Sequence, residues 1–106
     1  MTTLGVALIQ QTCGIHRDSN LEKSIGMIRQ AAASGAALIV LQELHTGLYF
    51  CQVEDPALFD LAEAIPGPST EVLGNLAAEL GVVIVASLFE RRAAGLYHNT
   101  AVVFEK

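Results

Sequence analysis

The chain alternates between blocks that are apolar throughout and blocks that are apolar only at helical spacing. Leu38 to Leu41 is an uninterrupted apolar run with β-branched content, the pattern of a strand buried on both faces. With Ala37 it reads as a core strand, and it stops abruptly at Gln42 and Glu43. Val82 to Phe89 is a second such run, and Leu4 to Gln10 is a shorter first one. Between the first two strands, Leu21, Ile25, Ile28 and Ala32 recur at steps of four, three and four, which predicts one face of a helix. Ser19 and Glu22 have the spacing of a capping box at its start, and Gly35 suits a left-handed C-terminal cap. Strand, helix and strand then form a βαβ unit with parallel strands and a right-handed crossover.

A second helix is predicted after the bend at Pro66-Gly67-Pro68, capped by Ser69, with Val72, Leu73, Leu76, Ala77 and Leu80 on its apolar face and Gly81 at its end. Arg91 to Gly95 reads as a turn that leads back into Tyr97 to Phe104, so the last two strands form an antiparallel hairpin. The stretch from Gly47 to Ile65 is aromatic and acidic, with Asp55-Pro56 suited to open one short helix through Leu61. This element order specifies an α/β layer structure with helices packed against a mixed sheet.

Composition narrows what such a domain binds. Hydrophobic residues make up 52% and charged residues 16% of 106 positions, so much of the surface is apolar, as in one part of a larger packed object. The net charge of −5 and the lack of any basic cluster beyond Arg91-Arg92 argue against nucleic acid and anionic membranes as partners. No apolar run approaches a membrane span and no charged leader precedes the first strand, which makes a cytoplasmic chain the expectation. Cys13 and Cys51 form no metal-spaced or redox motif and read as free thiols. His16, His45 and His98 are too scattered for a helix-borne or strand-borne metal site.

Phosphate cradles and the nucleophile elbow are absent, which removes dinucleotide, P-loop and α/β-hydrolase chemistry. What stands out is Glu43, just past the C-terminal end of a core strand, where open α/β sheets place their ligands. The plain alternative is a surface glutamate that closes a buried strand by being exposed.

The ordered set of Leu41-Gln42-Glu43-Leu44, Thr46-Gly47-Leu48-Tyr49, the stretch from Ile65 to Arg92 and the stretch from Leu96 to Phe104 resembles the N-terminal third of the nitrilase (carbon-nitrogen hydrolase) superfamily. Among its branches the similarity is strongest to the N-carbamoylputrescine amidohydrolases, and it runs over essentially the whole chain. The resemblance implies the N-terminal part of an α-β-β-α sandwich, with helices packed on one face of a mixed sheet. It implies a Glu-Lys-Cys thiol mechanism without a cofactor, a small carbamoylated amine as substrate, and homo-oligomers.

Carried over, the family's general base is Glu43, which takes the cysteine proton and later assists water; a strand-rim carboxylate is expected to be partly desolvated, which favours basicity. Tyr49, six residues on, falls in a loop that borders the substrate pocket in relatives, where it is either part of the pocket wall or a plain packing aromatic. Asn99 and Thr100 match the family's Asn-Thr pair, and a structural role is expected for both.

The chain also departs from the family pattern. No motif for the catalytic lysine or the nucleophilic cysteine occurs in it; Cys13 and Cys51 sit outside the nucleophile motif, and Lys106 outside the lysine motif. Residues 1–106 are therefore expected to be a fragment of the domain and inactive alone. Two other readings stay open: a non-catalytic α/β interaction module, suited by the apolar composition, and a flavodoxin-like binding domain, disfavoured by the hairpin because a doubly wound sheet would continue with a helix.

Overall fold

The computed structural model describes residues 2–48 and 56–106, so the expectations for Tyr49, Cys51 and Asp55 lie outside the described residues. The elements run β1 (Val6–Ile9), α1 (Arg17–Ala33), β2 (Leu38–Leu41), a 3₁₀ helix (Pro56–Leu61), α2 (Pro68–Leu80), β3 (Val83–Ala93) and β4 (Leu96–Phe104). The sheet order is β1-β2-β3-β4, with β1 and β2 parallel, β2 and β3 parallel, and β3 and β4 antiparallel. The predicted βαβ unit and terminal hairpin are thus present in a mixed four-stranded sheet.

Both helices lie on one face of that sheet and touch each other. Strand alternation records this directly: Ile84, Ala86, Leu88 and Glu90 of β3 are buried, whereas Val83, Val85, Ser87 and Phe89 are only half-buried. Ile9, Ile39, Leu41, Ile84 and Ala86 meet Ile28 of α1 and Leu73, Leu76 and Ala77 of α2 in one apolar core. β2 departs from expectation here. Leu38 and Val40 are half-buried because no helix among the described residues covers their face, so its continuous apolar run does not mean burial on both sides. The same open face carries Leu8 of β1 at 80% exposure and Val103 of β4 at 61%.

Both helix starts differ from the sequence expectation. α1 begins at Arg17 with His16 as N-cap and no side-chain cap, so Ser19 and Glu22 lie inside the helix and form no capping box. The earlier start places Asn20 in the first turn, where its side chain ties down neighbouring loops. In α2 the N-cap is Gly67 and Pro68 opens the first turn. Thr70 Oγ1 accepts from the Gly67 N–H at 2.7 Å, while Ser69 turns its N–H and hydroxyl to the Glu63 carboxylate at 3.1 and 2.9 Å. A carboxylate from outside the helix therefore takes the place expected for Ser69, helped by the positive end of the helix dipole.

Gly81 closes α2 in the left-handed conformation at φ 66°, as expected. The hairpin turn is shorter than expected, since β3 continues through Arg91 and Arg92 to Ala93, with a bulge between Arg91 and Ala93 and Gly95 at φ 74°.

Candidate active site

The turn that follows β2 is tied down by side chains from both sides of the sheet. Gln42 extends the β1–β2 ladder with its side chain: its Oε1 accepts from the Gln11 N–H at 2.6 Å and its Nε2 donates to the Gln11 carbonyl at 2.9 Å. A primary amide presents the same donor and acceptor pair as a peptide group, so the two loops stay in register beyond the last strand residues. Glu43 comes next, at the C-terminal rim of the parallel strands.

Leu44 then takes a positive φ of 52°, a conformation that costs a bulky residue on the order of 1–3 kcal/mol and persists only where its surroundings enforce it. Its side chain is buried at 4% exposure, its N–H donates to Ser87 Oγ at 3.0 Å, and its carbonyl accepts from the Gly47 N–H at 3.2 Å. Glu43, directly before this reversal, lies on the open face of the sheet.

There Asn99 Nδ2 on β4 donates to Glu43 Oε2 at 2.9 Å, and Ser87 Oγ on β3 lies 3.2 Å from Asn99 Oδ1. The relay of Leu44 N–H, Ser87, Asn99 and Glu43 fixes backbone and carboxylate together. Oε1 of Glu43 has no protein donor among the described residues. The side chain is exposed, which corrects the expectation of a partly desolvated base: the open face carries no covering element among the described residues. Thr100, the neighbour of Asn99, points to the helix side instead and donates to Glu90 Oε1 at 2.8 Å.

Behind the turn lies a polar cluster inside the fold. Asn20 is 2% exposed and uses its amide three ways: Oδ1 accepts from the Gly14 N–H at 2.8 Å, and Nδ2 donates to the carbonyls of Gly14 at 2.9 Å and Thr46 at 3.0 Å. The His45 carbonyl accepts from Cys13 Sγ at 3.1 Å and from Gln11 Nε2 at 3.3 Å. The His45 ring is fully buried, with Nδ1 3.0 Å from Ser24 Oγ and Nε2 without a partner. Burial pushes the imidazole pKa down to about 4, so His45 is neutral at pH 7. A cavity of about 220 Å³ adjoins this turn, bordered by Leu44, Leu48, Leu58, Leu61 and Phe89 with Arg17 at its edge.

Of the residues singled out in the sequence, Glu43 and Asn99 are brought into contact, and Cys13 meets His45 through its backbone carbonyl, whereas His16 and His98 join neither pair among the described residues. Among the described residues, no three His, Cys, Asp or Glu side chains gather where they would hold a metal ion. Sequence reasoning missed Gln11, Asn20, Ser24 and Ser87. The only signal they offered was a polar side chain interrupting an apolar face.

The profile of the family described as Carbon-nitrogen hydrolase matches residues 5–106. N-carbamoylputrescine amidase of Solanum lycopersicum is 38% identical over 92% of this chain and 33% of its own length. Citrullinase of Francisella tularensis subsp. tularensis (strain SCHU S4 / Schu 4) is 35% identical over 97% of this chain and 36% of its own. Omega-amidase NIT2 of Bos taurus is 33% identical over 98% and 36%. The crystal structure of a carbon-nitrogen hydrolase from Helicobacter pylori G27 superposes with a TM-score of 0.88 at 40% identity, over 96% of this chain and 35% of that one. The chain thus spans about a third of the length of the curated relatives it matches. With a family profile over nearly every residue and a strand order, helix face and strand-end glutamate laid out as described, this chain belongs to the carbon-nitrogen hydrolase family.

Proposed function

We propose that this chain is the N-terminal portion of an amidohydrolase domain in which Glu43 is the general base of a Glu-Lys-Cys mechanism. The observation that carries this reading is the Glu43 carboxylate at the C-terminal rim of the parallel strands, anchored through Oε2 by Asn99. An anchored carboxylate with a second, unengaged oxygen can accept a proton without losing its position. In this reading it takes the proton of a cysteine thiol contributed by residues outside the chain, and the thiolate attacks the carbonyl carbon of the substrate. A lysine, also from outside, stabilises the oxyanion. Glu43 then activates the water that releases the acyl group.

The substrate we infer is N-carbamoylputrescine, with one water consumed and putrescine, CO2 and ammonia formed. Relatives named for this compound and one named for citrulline, which also carries a carbamoylated nitrogen, support this choice, while the omega-amidase relative makes a simple ω-amide the competing substrate to assay beside it. Tyr49 is assigned to the wall of the substrate pocket. Because β4 is an edge strand without proline or charge between Leu96 and Phe104 apart from His98, self-association into homo-oligomers is part of the reading. Sedimentation of a clean monomer at high micromolar concentration would count against it.

The test is replacement of Glu43 in the full-length protein. Glu43→Gln keeps shape and removes basicity, so turnover of N-carbamoylputrescine falls by on the order of 10² to 10⁴ while substrate still binds. Glu43→Asp retracts the carboxylate by one methylene and also fails, since a displacement of about 1 Å can cost around 100-fold. Turnover by folded Glu43→Gln within about threefold of the parent returns this residue to an ordinary surface role. Residues 1–106 alone turn over no faster than their own Glu43→Gln variant.

A second reading, a non-catalytic interaction module, is favoured by one observation: the open sheet face with Leu8 and Val103 exposed. Glu43→Gln separates the two, because a binding module loses nothing by it.

A further inference from the structure

The strained turn raises the question of what holds it. Leu44 at φ 52° is over-determined from its own side by the Ser87 contact. The two residues that follow are held from the opposite side, by α1 and the loop before it. The Thr46 carbonyl is bonded by Asn20 Nδ2, the His45 carbonyl by Gln11 Nε2 and Cys13 Sγ, and the His45 ring by Ser24 Oγ.

The donors in this cluster can be assigned by elimination. Gln11 Nε2 faces the carbonyls of Asn20 at 3.1 Å and His45 at 3.3 Å, so it is the NH2 end, and Gln11 Oε1 must accept. Its donor is the Ser24 hydroxyl at 2.8 Å, a shorter contact than the 3.2 Å between that hydroxyl and its other carbonyl acceptor, Asn20. With the single Ser24 proton used there, the Ser24 oxygen accepts from His45 Nδ1–H, which makes His45 the Nδ1–H tautomer. The hydrogen bonds then run His45 Nδ1–H to Ser24 O–H to Gln11 Oε1, and from Gln11 Nε2–H back to the His45 carbonyl. The ring of contacts closes on the residue where it began.

We propose that Asn20 and Ser24 are positioning residues for Glu43: from inside α1 they hold residues 45 and 46 so that the Leu44 reversal, and with it the carboxylate, has one geometry. Neither touches substrate. This inference rests on the reading of Glu43 as general base. Its consequence is that loss of either side chain lets the turn relax toward an ordinary φ and moves the carboxylate away from the reacting thiol. Hydrogen bonding that constrains a catalytic group acts on the chemical step more than on binding.

The experiment is a double-mutant cycle in the full-length enzyme, with Asn20→Ser, Ser24→Ala and Glu43→Gln made singly and Asn20→Ser and Ser24→Ala each combined with Glu43→Gln. Folding is checked by thermal melts, and kcat and KM by turnover of N-carbamoylputrescine. The expected result is a fall in kcat on the order of 10- to 100-fold for each folded positioning variant with KM nearly unchanged, and no further fall when either is added to Glu43→Gln.

A residue that serves the fold alone lowers activity by the same factor in both backgrounds. That result overturns the proposal, as does an unchanged kcat in either folded variant. Where Asn20→Ser does not fold, Ser24→Ala decides the matter alone, since it deletes one hydroxyl and leaves a better helix former in α1. If Glu43→Gln itself retains turnover, the general-base reading has failed, which is a different outcome from additive losses.

Discussion

Two carboxylates close the C-terminal rim of the sheet, and they are built in opposite ways. Glu63 is 7% exposed and bonded at both oxygens: Ser69 gives it an N–H and a hydroxyl, and Arg17 adds an ion pair at 3.3 Å. Its backbone bridges to Glu90, with the Glu63 N–H donating to the Phe89 carbonyl and the Arg91 N–H to the Glu63 carbonyl. Glu43 is exposed, holds one hydrogen bond at one oxygen among the described residues, and follows a strand with a strained residue behind it. The contrast separates a carboxylate that serves the fold from one positioned for use. Every donor bonded to the Glu63 carboxylate stabilises its charge and fills a lone pair a proton or substrate would need, whereas Glu43 is oriented but left with capacity.

The largest expected effect divides the two residues by their readouts. Glu43→Gln costs turnover by on the order of 10² to 10⁴ with little change in stability, while Glu63→Gln does the reverse. Removing the charge of Glu63 leaves Arg17 and the α2 start poorly matched, at about 1–3 kcal/mol of unfolding free energy, with kcat per folded molecule retained. Denaturant titration and turnover on the same preparations check both halves; a Glu63 variant that is stable and inactive erases the distinction.

Asn99 gives the next effect, because it alone contacts Glu43 by side chain among the described residues. Asn99→Leu removes the anchor and lowers kcat by on the order of 10- to 100-fold through misplacement. Asn99→Asp withdraws the donor and sets a second negative charge against Glu43, so kcat falls at least as far as in Asn99→Leu. Parent-like kcat in either folded variant removes Asn99 from the site.

The last effect is confined to acid pH, concerns His45 and sharpens the contrast between rim and interior. Folded His45 stays neutral down to about pH 4, whereas the unfolded chain takes up its proton near 6.5. Between those values the unfolded state binds more protons, so stability declines as pH falls through the window, by up to about 3 kcal/mol from this group. Above pH 6.5 the group contributes no slope. Unfolding free energies measured at several pH values for parent and His45→Gln give the check, since the variant lacks this part of the acid-side slope.

Much of the architecture was legible because it is periodic. The steps of four, three and four from Leu21 to Ala32 located α1, and the run from Val82 located β3, because a helix stripe and a strand run each bury a face against the same core. Helix starts were misread because capping signals are local and ambiguous. Ser19-x-x-Glu22 has the capping-box spacing yet lies inside α1, while Ser69 gives its hydroxyl to Glu63 rather than to its own helix. Competition between nearby partners for one hydroxyl is decided by distance in space.

The sequence by itself determined the α/β class, the strand and helix order, the hairpin and the placement of Glu43 at a strand end, all of which follow from hydrophobic spacing along the chain. Tertiary structure decided the rest. The apolar run of β2, which by itself reads as buried on both faces, leaves Leu38 and Val40 half-buried because both helices pack on the other face. β4 brings Asn99 to Glu43 across 56 positions of sequence, and α1 reaches the Thr46 carbonyl from Asn20 across 26. Such contacts leave no period or spacing in the sequence, because a hydrogen bond depends on where two atoms end up and not on how many residues separate them.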